Sequence, residues 1–397
     1  MYKYSRRKFN SLLALGITGG VFAKPYWASA KENNDSYSVI VLGDIHYDRT
    51  NPEYFHAQAI AKWESSGKHK RRLKEFKRNA DMWGNLSPKI LKASANIRRE
   101  DTVFMLQLGD LVQGDCMSDS LHITMLTEAM ELLEKNYPNL PIVSVCGNHD
   151  IRDGESDTGS ENAYRKYMLP KQSQHLARFI SERIKETTFG FSCGKDYWLC
   201  IDFNNAERDV DIVMRLLEES SGARYTFVAV HGPVLPLDSW HCRWFYLGAP
   251  DSDTMRREMR NLFAKHKVIV LSGHTHTLEF RDWYGDGGQI TEMIFNSVAG
   301  NNSGIFPADP KIIASSPSDW GKWIVNGGKP SFISSRSDTH KTSLNMASLY
   351  DEYRNGLRSY VASLAVGHYC LHIKDDSVRL EYYGHNAIKP TKVFSLR

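Results

Sequence analysis

The chain has 397 residues, 41% hydrophobic and 24% charged, with 28 glycines, 14 prolines and six cysteines. These proportions are ordinary for a globular protein; they exclude a low-complexity chain and a disulfide-built miniature fold. The formal net charge is +4, yet five of the 50 basic residues and none of the 46 acidic ones fall in the first 30 positions, leaving the remainder at −1, so charge alone argues for neither a nucleic-acid nor a membrane partner.

In chain order, the first element resembles an export signal. Ser5-Arg6-Arg7-Lys8-Phe9 is a twin-arginine pattern, Leu12 to Ala23 is an apolar stretch, and Ala28-Ser29-Ala30 is a small-residue cleavage site. The apolar stretch is too short to span a bilayer, and Gly16, Gly19 and Gly20 weaken it as a helix. The expected organisation is a bacterial Tat signal peptide over 1–30, cleaved after Ala30, and one large domain over 31–397. The expected location is the periplasm or the medium. The Tat export machinery carries folded proteins, which suits a chain that takes up metal in the cytoplasm. No specific nucleic-acid partner and no transmembrane segment are expected in the mature protein.

Five apolar runs follow, each ending on a polar cluster. Tyr37 to Leu42 leads to Gly43-Asp44-Ile45-His46, and Val103 to Leu108 leads to Gly109-Asp110. Pro141 to Cys146 leads to Gly147-Asn148-His149-Asp150, Tyr225 to Val230 to His231-Gly232-Pro233, and Val268 to Ser272 to Gly273-His274-Thr275-His276. Such β-branched runs read as strands buried on both faces. Between them, 52–80, 87–98, 121–135, 210–219 and 253–265 read as helices, the alternation of a layered α/β protein. After His276 the pattern turns to strands at 278–283, 289–295, 367–373 and 378–383, with Asp375-Asp376-Ser377 as a hairpin turn.

Polar residues at such strand exits gather on one edge of a sheet, where open α/β sheets place ligands. In extended chain, residues i and i+2 point the same way, so Asp44 with His46, and His274 with His276, can each address one ion. Imidazole and carboxylate suit Zn, Fe, Mn or Ni, and the lack of cysteine in these pieces argues against a thiolate site. Asp110 can bridge two ions through its two oxygens, and the Asn148 carboxamide adds a neutral oxygen. Singly, Gly109-Asp110 reads as a turn and His231 as a capped or solvated histidine. Five pieces in this order, each behind a buried run, point to a metal site.

The five blocks, spanning Asp44 to His276, resemble the calcineurin-like metallophosphoesterase superfamily. The resemblance implies a four-layer α/β/β/α metallophosphoesterase sandwich with a dinuclear centre of divalent or trivalent transition-metal ions (Mn, Fe, Zn, Ni or Co). It implies that Asp44, His46, Asp110 and His276 hold one ion, and that Asp110, Asn148, His231 and His274 hold the other. His149 would be no ligand but would face the substrate phosphate as general acid or leaving-group stabiliser, with Asp150 as its orienting partner. The implied activity is hydrolysis of a phosphomonoester or phosphodiester, small-molecule or lipid, by a hydroxide bridging the two ions. The alternative on the same scaffold is a non-catalytic module that binds metal or phosphoryl ligands. Purple acid phosphatases need a tyrosinate a few residues after their Gly-Asp; here the order is Gly109-Asp110-Leu111-Val112-Gln113, so that coloured centre is not expected. Nor does a second domain of the 5′-nucleotidase type stand out.

Cys116, Cys146, Cys193, Cys200, Cys242 and Cys370 lack zinc-ligand spacing. Cys193 and Cys200 flank a predicted hairpin turn at Gly194-Lys195-Asp196, where a bridge is conceivable; a Tat passenger folds in a reducing compartment, and no essential disulfide is expected. Three insertions are candidates for substrate recognition. Lys68-His69-Lys70-Arg71-Arg72, continued by Lys74, Lys77 and Arg78, could attract a polyanion but reads more simply as a solvated helix face. Trp240 to Tyr246 walls a pocket or packs a core. Residues 301–342, rich in Ser, Gly, Pro and Asn, read as a long surface loop or lid.

Overall fold

Alternate residues of the first strand serve different layers: Val39 and Val41 belong to one hydrophobic cluster, Ile40 and Leu42 to another. That double burial is what a continuous apolar run demands of a strand. The computed structural model describes residues 36–49, 53–64, 69–152, 159–205, 208–235, 250–285, 287–297, 300–301, 304–319 and 353–397. The Tat-like segment, Trp240 to Tyr246 with its Cys242, and 320–352 lie outside the described residues.

Strands β1 (Tyr37–Leu42), β2 (Thr102–Gln107) and β3 (Ile142–Ser144) run parallel. β4 (Phe189–Cys193) and β5 (Asp196–Ile201) form the expected hairpin, and β6 (Thr226–Val230) and β7 (Ile269–Ser272) continue in parallel from β5. β8 (Leu278–Gly285) and β9 (Gly288–Ile294) form a second hairpin, with β9 parallel to β7. β10 (Gly300–Asn301) and β11 (Gly304–Ile305) pair with each other. β12 (Lys311–Ala314) and β13 (Leu357–Leu364) complete an eight-stranded sheet in the order β12-β13-β8-β9-β7-β6-β5-β4. β14 (Gly367–Ile373), β15 (Val378–Gly384) and β16 (Lys392–Ser395) complete a six-stranded one in the order β16-β15-β14-β1-β2-β3. The strands read after His276 are therefore divided between both sheets. The stretch read as a loop from 301 onward contains β11 and β12.

The sheets pack face to face. Val39, Val41, Phe104 and Leu106 of the first meet Trp198, Phe227 and Leu271 of the second. Trp198 stacks on Phe227 with ring centroids 4.2 Å apart. Helices α1 (Glu53–Glu64), α2 (His69–Asn85), α3 (Ser87–Asn96), α4 (Asp119–Asn136) and α5 (Glu161–His175) belong to the first sheet's side. Phe55, Leu91, Met125, Leu126 and Met168 fill the layer beneath them. Helices α6 (Val210–Glu219) and α7 (Pro250–Lys265) cover the outer face of the second sheet through Val213, Leu217, Met259 and Phe263. The order helix, sheet, sheet, helix is the four-layer arrangement expected.

Local sequence explains the helices that frame the site. Ser118 accepts the Leu121 N–H at the start of α4, Asp119 occupies its first turn and Lys135 its last, matching the helix dipole. In α6 the buried residues Val210, Val213, Leu216 and Leu217 recur at helical spacing. Cys193 and Cys200 are buried free thiols, so the conceivable bridge is not formed. Among the described residues no helix is long and apolar enough to cross a membrane.

Candidate metal centre

Because β1, β2 and β3 are parallel, their carboxyl ends share one edge of the first sheet; β5, β6 and β7 do the same in the second. The two edges meet. The site thus straddles both sheets instead of lining the edge of one, as the strand-exit argument expected. Two bonds stitch the halves together. His231 Nδ1 donates to the Leu108 carbonyl at 2.8 Å, and the His274 N–H donates to the Asp44 carboxylate at 3.1 and 3.0 Å.

The backbone leaves these strands sharply. His46, Asp110, His274 and His276 have φ of 42°, 51°, 72° and 56°, the left-handed region that non-glycine residues seldom enter. Four such residues in one site mark strain held by the surrounding fold. The extended-chain reading of the His274/His276 pair fails for this reason. The two imidazoles turn apart, His274 toward His231 and His276 toward His46.

Two groups of nitrogen and oxygen atoms result. In the first, His46 Nε2 lies 3.2 Å from His276 Nε2, and Asp44 Oδ1 lies 3.9 Å from the former and 3.5 Å from the latter. In the second, His231 Nε2 lies 3.0 Å from His274 Nδ1 and 3.2 Å from Asp110 Oδ2. Asp110 Oδ2 is also 3.6 Å from His46 Nε2, so one oxygen of Asp110 faces both groups. Its other oxygen accepts the His149 N–H at 2.8 Å. Asp44, Asp110 and His231 are each at most 1% exposed. Glycine is required where these side chains press on backbone. A Cβ at position 273 would stand 2.5 Å from Asp44 Oδ2, and one at position 109 would stand 2.6 Å from His231 Nδ1.

Electrostatics prepare the groups for cations. Burial opposes ionisation of Asp110, but His231 and His149 prevail and hold it well below the usual carboxylate range. Burial and nearby His149 push His46 well below its ordinary value, so its lone pair is free. Burial also works against a charged His231, yet Asp110 and Asp44 raise its pKa to about 9. With Nδ1 committed to Leu108, that proton sits on Nε2, where a cation would take its place. Asn148 lies between Gly147 and His149, and its Oδ1 is buried with no hydrogen-bond partner. An acceptor left that way costs about 1–3 kcal/mol, which coordination would relieve. The imidazole, carboxylate and carboxamide donors present fit a pair of transition-metal ions.

His149 and Asp150 are adjacent in sequence but serve different ends. The His149 ring meets the His46 ring edge-on at 4.4 Å, with Nδ1 2.9 Å from the Gln113 carbonyl and Nε2 2.6 Å from Arg152 Nη1. Both ring nitrogens are engaged, and neither by Asp150. The Asp150 carboxylate accepts the N–H groups of Gly147 at 2.8 Å and Val112 at 3.1 Å. It ties the loop after β3 to the loop after β2. The expected role of Asp150 as orienting partner of His149 is therefore corrected: the Gln113 carbonyl does that work. Burial and nearby Asp110 push the Asp150 pKa up.

Residues beyond the five blocks also enter. Arg152 Nε donates to Asp115 Oδ1 at 2.8 Å and its Nη2 to Glu75 Oε1 at 3.2 Å. Arg72, from the basic run, lies 3.3 Å from Glu75 and 3.7 Å from Asp115. Of the run's described side chains, Arg72 points into the site's flank while Lys74 and Lys77 stay exposed; Lys68 and the side chains of His69, Lys70 and Arg71 lie outside the described residues. The signal for Arg152 was its place one 3₁₀ turn after His149, where its N–H bonds the His149 carbonyl at 3.2 Å. Nothing in the sequence marked Glu75.

No curated protein matches the chain at a significant level. Among solved structures, the chain is similar to PhoD (10% identity, TM-score 0.49, 91% of this chain and 68% of that one). It is also similar to the purple acid phosphatase PPD1 of yellow lupin, Lupinus luteus (13%, 0.46, 91% and 53%). A third is a dimetal phosphatase from Danio rerio (9%, 0.46, 91% and 98%). Residues 37–278 match the family described as calcineurin-like phosphoesterase, an interval that contains every residue of both groups. The chain belongs to the calcineurin-like phosphoesterase family and is a phosphoester hydrolase.

Proposed function

We propose that this chain is a metal-dependent phosphoesterase acting on a phosphomonoester or phosphodiester, small-molecule or lipid, with two transition-metal ions. Asp44, His46, Asp110 and His276 would hold one ion, and Asp110, Asn148, His231 and His274 the other. The observation that carries the reading is Asp110 Oδ2, within 3.6 Å of His46 Nε2 and 3.2 Å of His231 Nε2, a shared acceptor between two imidazole groups. When bound, such an ion pair lowers the pKa of water and clamps phosphate oxygens. The chain's own residues supply the rest. Leu108 fixes the tautomer of His231 so that Nε2 faces inward. The Gln113 carbonyl fixes Nδ1 of His149, and Nε2, held by Arg152 Nη1, would face the side where a leaving group departs. There His149 acts as general acid or leaving-group stabiliser.

The test is release of nitrophenol from p-nitrophenyl phosphate and bis(p-nitrophenyl) phosphate by purified protein loaded with Mn, Fe, Zn, Ni or Co. Turnover that a chelator abolishes is expected. Absence of turnover with every metal would favour the non-catalytic binding module instead.

The proposal extends to location. The pattern from Ser5 to Ala30 supports export by the Tat machinery to the periplasm or medium. Replacing Arg6 and Arg7 together by lysine should hold the protein in the cytoplasm; unchanged export would contradict this.

A further inference from the structure

Glu75, Asp115 and His149 form a further cluster of potential metal ligands, beside the two groups but outside them. It is already neutralised. Arg152 bonds both of its carboxylates, Arg72 lies against both, and Gln113 Nε2 donates to Glu75 at 2.9 Å and to Asp115 at 3.3 Å. Two guanidinium groups against two carboxylates leave no charge for a third cation to balance.

The guanidinium of Arg152 is the distinctive member. It has five N–H donors and no acceptor. Nε and both hydrogens of Nη2 are directed at Asp115 and Glu75, and one hydrogen of Nη1 at His149 Nε2. His149 Nε2 therefore accepts, and Nδ1 donates to Gln113. The second Nη1 hydrogen has no partner among the described residues, on a side chain 19% exposed. That nitrogen sits at the outer atom of an imidazole whose other face touches His46 and whose backbone N–H touches Asp110. An anionic ester bound to the cations that His46 and Asp110 would hold would lie beside this ring, and the free donor lies at the ring's far end.

We propose that Arg152 contacts the substrate: its Nη1 donates to an oxygen of the phosphoryl ester while His149 Nε2, as acceptor on the same nitrogen, aims it. Asp115 and Glu75 hold the guanidinium plane, and α2 supplies one wall of the substrate site through Arg72 and Glu75. Of the two roles open to His149, this selects stabilisation of the leaving group through Arg152 over proton donation. The proposal rests on the phosphoesterase reading above.

The experiment compares wild type, R152K, H149A and the double variant, each loaded with metal. Chelator-sensitive turnover by wild type comes first; its absence sinks the phosphoesterase reading, whatever Arg152 does. R152K keeps a positive charge between Glu75 and Asp115 but lacks the fork that reaches two acceptors. It should keep wild-type metal content and thermal stability, weaken competitive inhibition by inorganic phosphate roughly tenfold and lower kcat/KM roughly 10²-fold. Because His149 would act through Arg152, the double variant should lose no more than the worse single one. Wild-type phosphate inhibition and kcat/KM in R152K would overturn the proposal. So would loss of metal from R152K, which would show Arg152 acting through the fold, or losses that multiply in the double variant.

Discussion

His274 and His276 are two residues apart, yet they face different partners. His274 Nδ1 lies 3.0 Å from His231 Nε2, and His276 Nε2 lies 3.2 Å from His46 Nε2. Their left-handed backbone, at φ of 72° and 56°, turns one short loop into a contributor to both groups. The second sheet thereby completes both groups of nitrogen and oxygen atoms begun by the first.

The close approach of the sheets at this loop makes Gly273 sensitive. A Cβ there would stand 2.5 Å from Asp44 Oδ2 and 3.4 Å from the Leu108 carbonyl oxygen of the other sheet. Gly273→Ala should destabilise the protein by about 1–3 kcal/mol, typical of overpacking, and lower metal content. Denaturant unfolding with elemental analysis of the purified variant measures both; wild-type values in both would contradict the packing argument.

Asp150 accepts two backbone N–H groups and leaves the His149 ring to Gln113. Asp150→Ala should therefore act on stability first, by about 1–3 kcal/mol for the orphaned N–H groups. Asp150→Asn should lose less, because its amide oxygen still accepts. Chemical denaturation of the two variants tests this. An Asp150→Ala protein as stable as wild type, but inactive, would restore the orienting role.

Much of the fold was legible because buried parallel strands leave an unmistakable pattern. β14 spans the residues read from sequence, 367–373, and α6 spans 210–219. The helix α5 went unread: Pro170 sits inside it, and its surroundings are polar. β12 and β13 went unread as well, β12 because most of its residues are exposed and so carry no core pattern. At the site the aspartates and histidines of the two groups were legible from type and order. Their second partners were not. Glu75 meets Arg152 across 77 residues, and Leu108 meets His231 across 123. Such contacts exist only after folding, and adjacency suggested the wrong partner for Asp150.

His122 gives the protein a defined response to acid. It is fully buried under the Asp150 carbonyl, to which its Nε2 donates at 2.6 Å. Burial lowers its pKa from 6.5 to about 4, against the pull of that carbonyl. Below the ordinary value the unfolded chain takes up a proton that the folded protein refuses. Stability should therefore fall as pH drops from 6.5 to about 4, with no contribution from this group above that window. His122→Gln removes the titration. Denaturation midpoints at pH 7 and pH 4.5 should fall further apart in wild type than in the variant, and equal spacing would count against the assignment.

Behind the second group, Arg281 is fully buried between two carboxylates, 2.7 Å from Glu279 and 3.0 Å from Glu292. Glu292 in turn accepts the N–H groups of Val234 and Leu235, just after His231. Arg281→Met would strand two buried carboxylates and should cost about 3–5 kcal/mol. Restoring neutrality with Glu279→Gln and Glu292→Gln in the same chain should recover part of that loss. Urea unfolding of the single and triple variants measures the recovery; none would contradict the charge argument.

The most direct test of the dinuclear centre is anomalous diffraction from crystals of the metal-loaded protein. Two peaks about 3.5–4 Å apart are expected, one beside Asp44, His46 and His276, the other beside Asn148, His231 and His274, with Asp110 touching both. A single peak, or two peaks that do not share Asp110, would contradict the account.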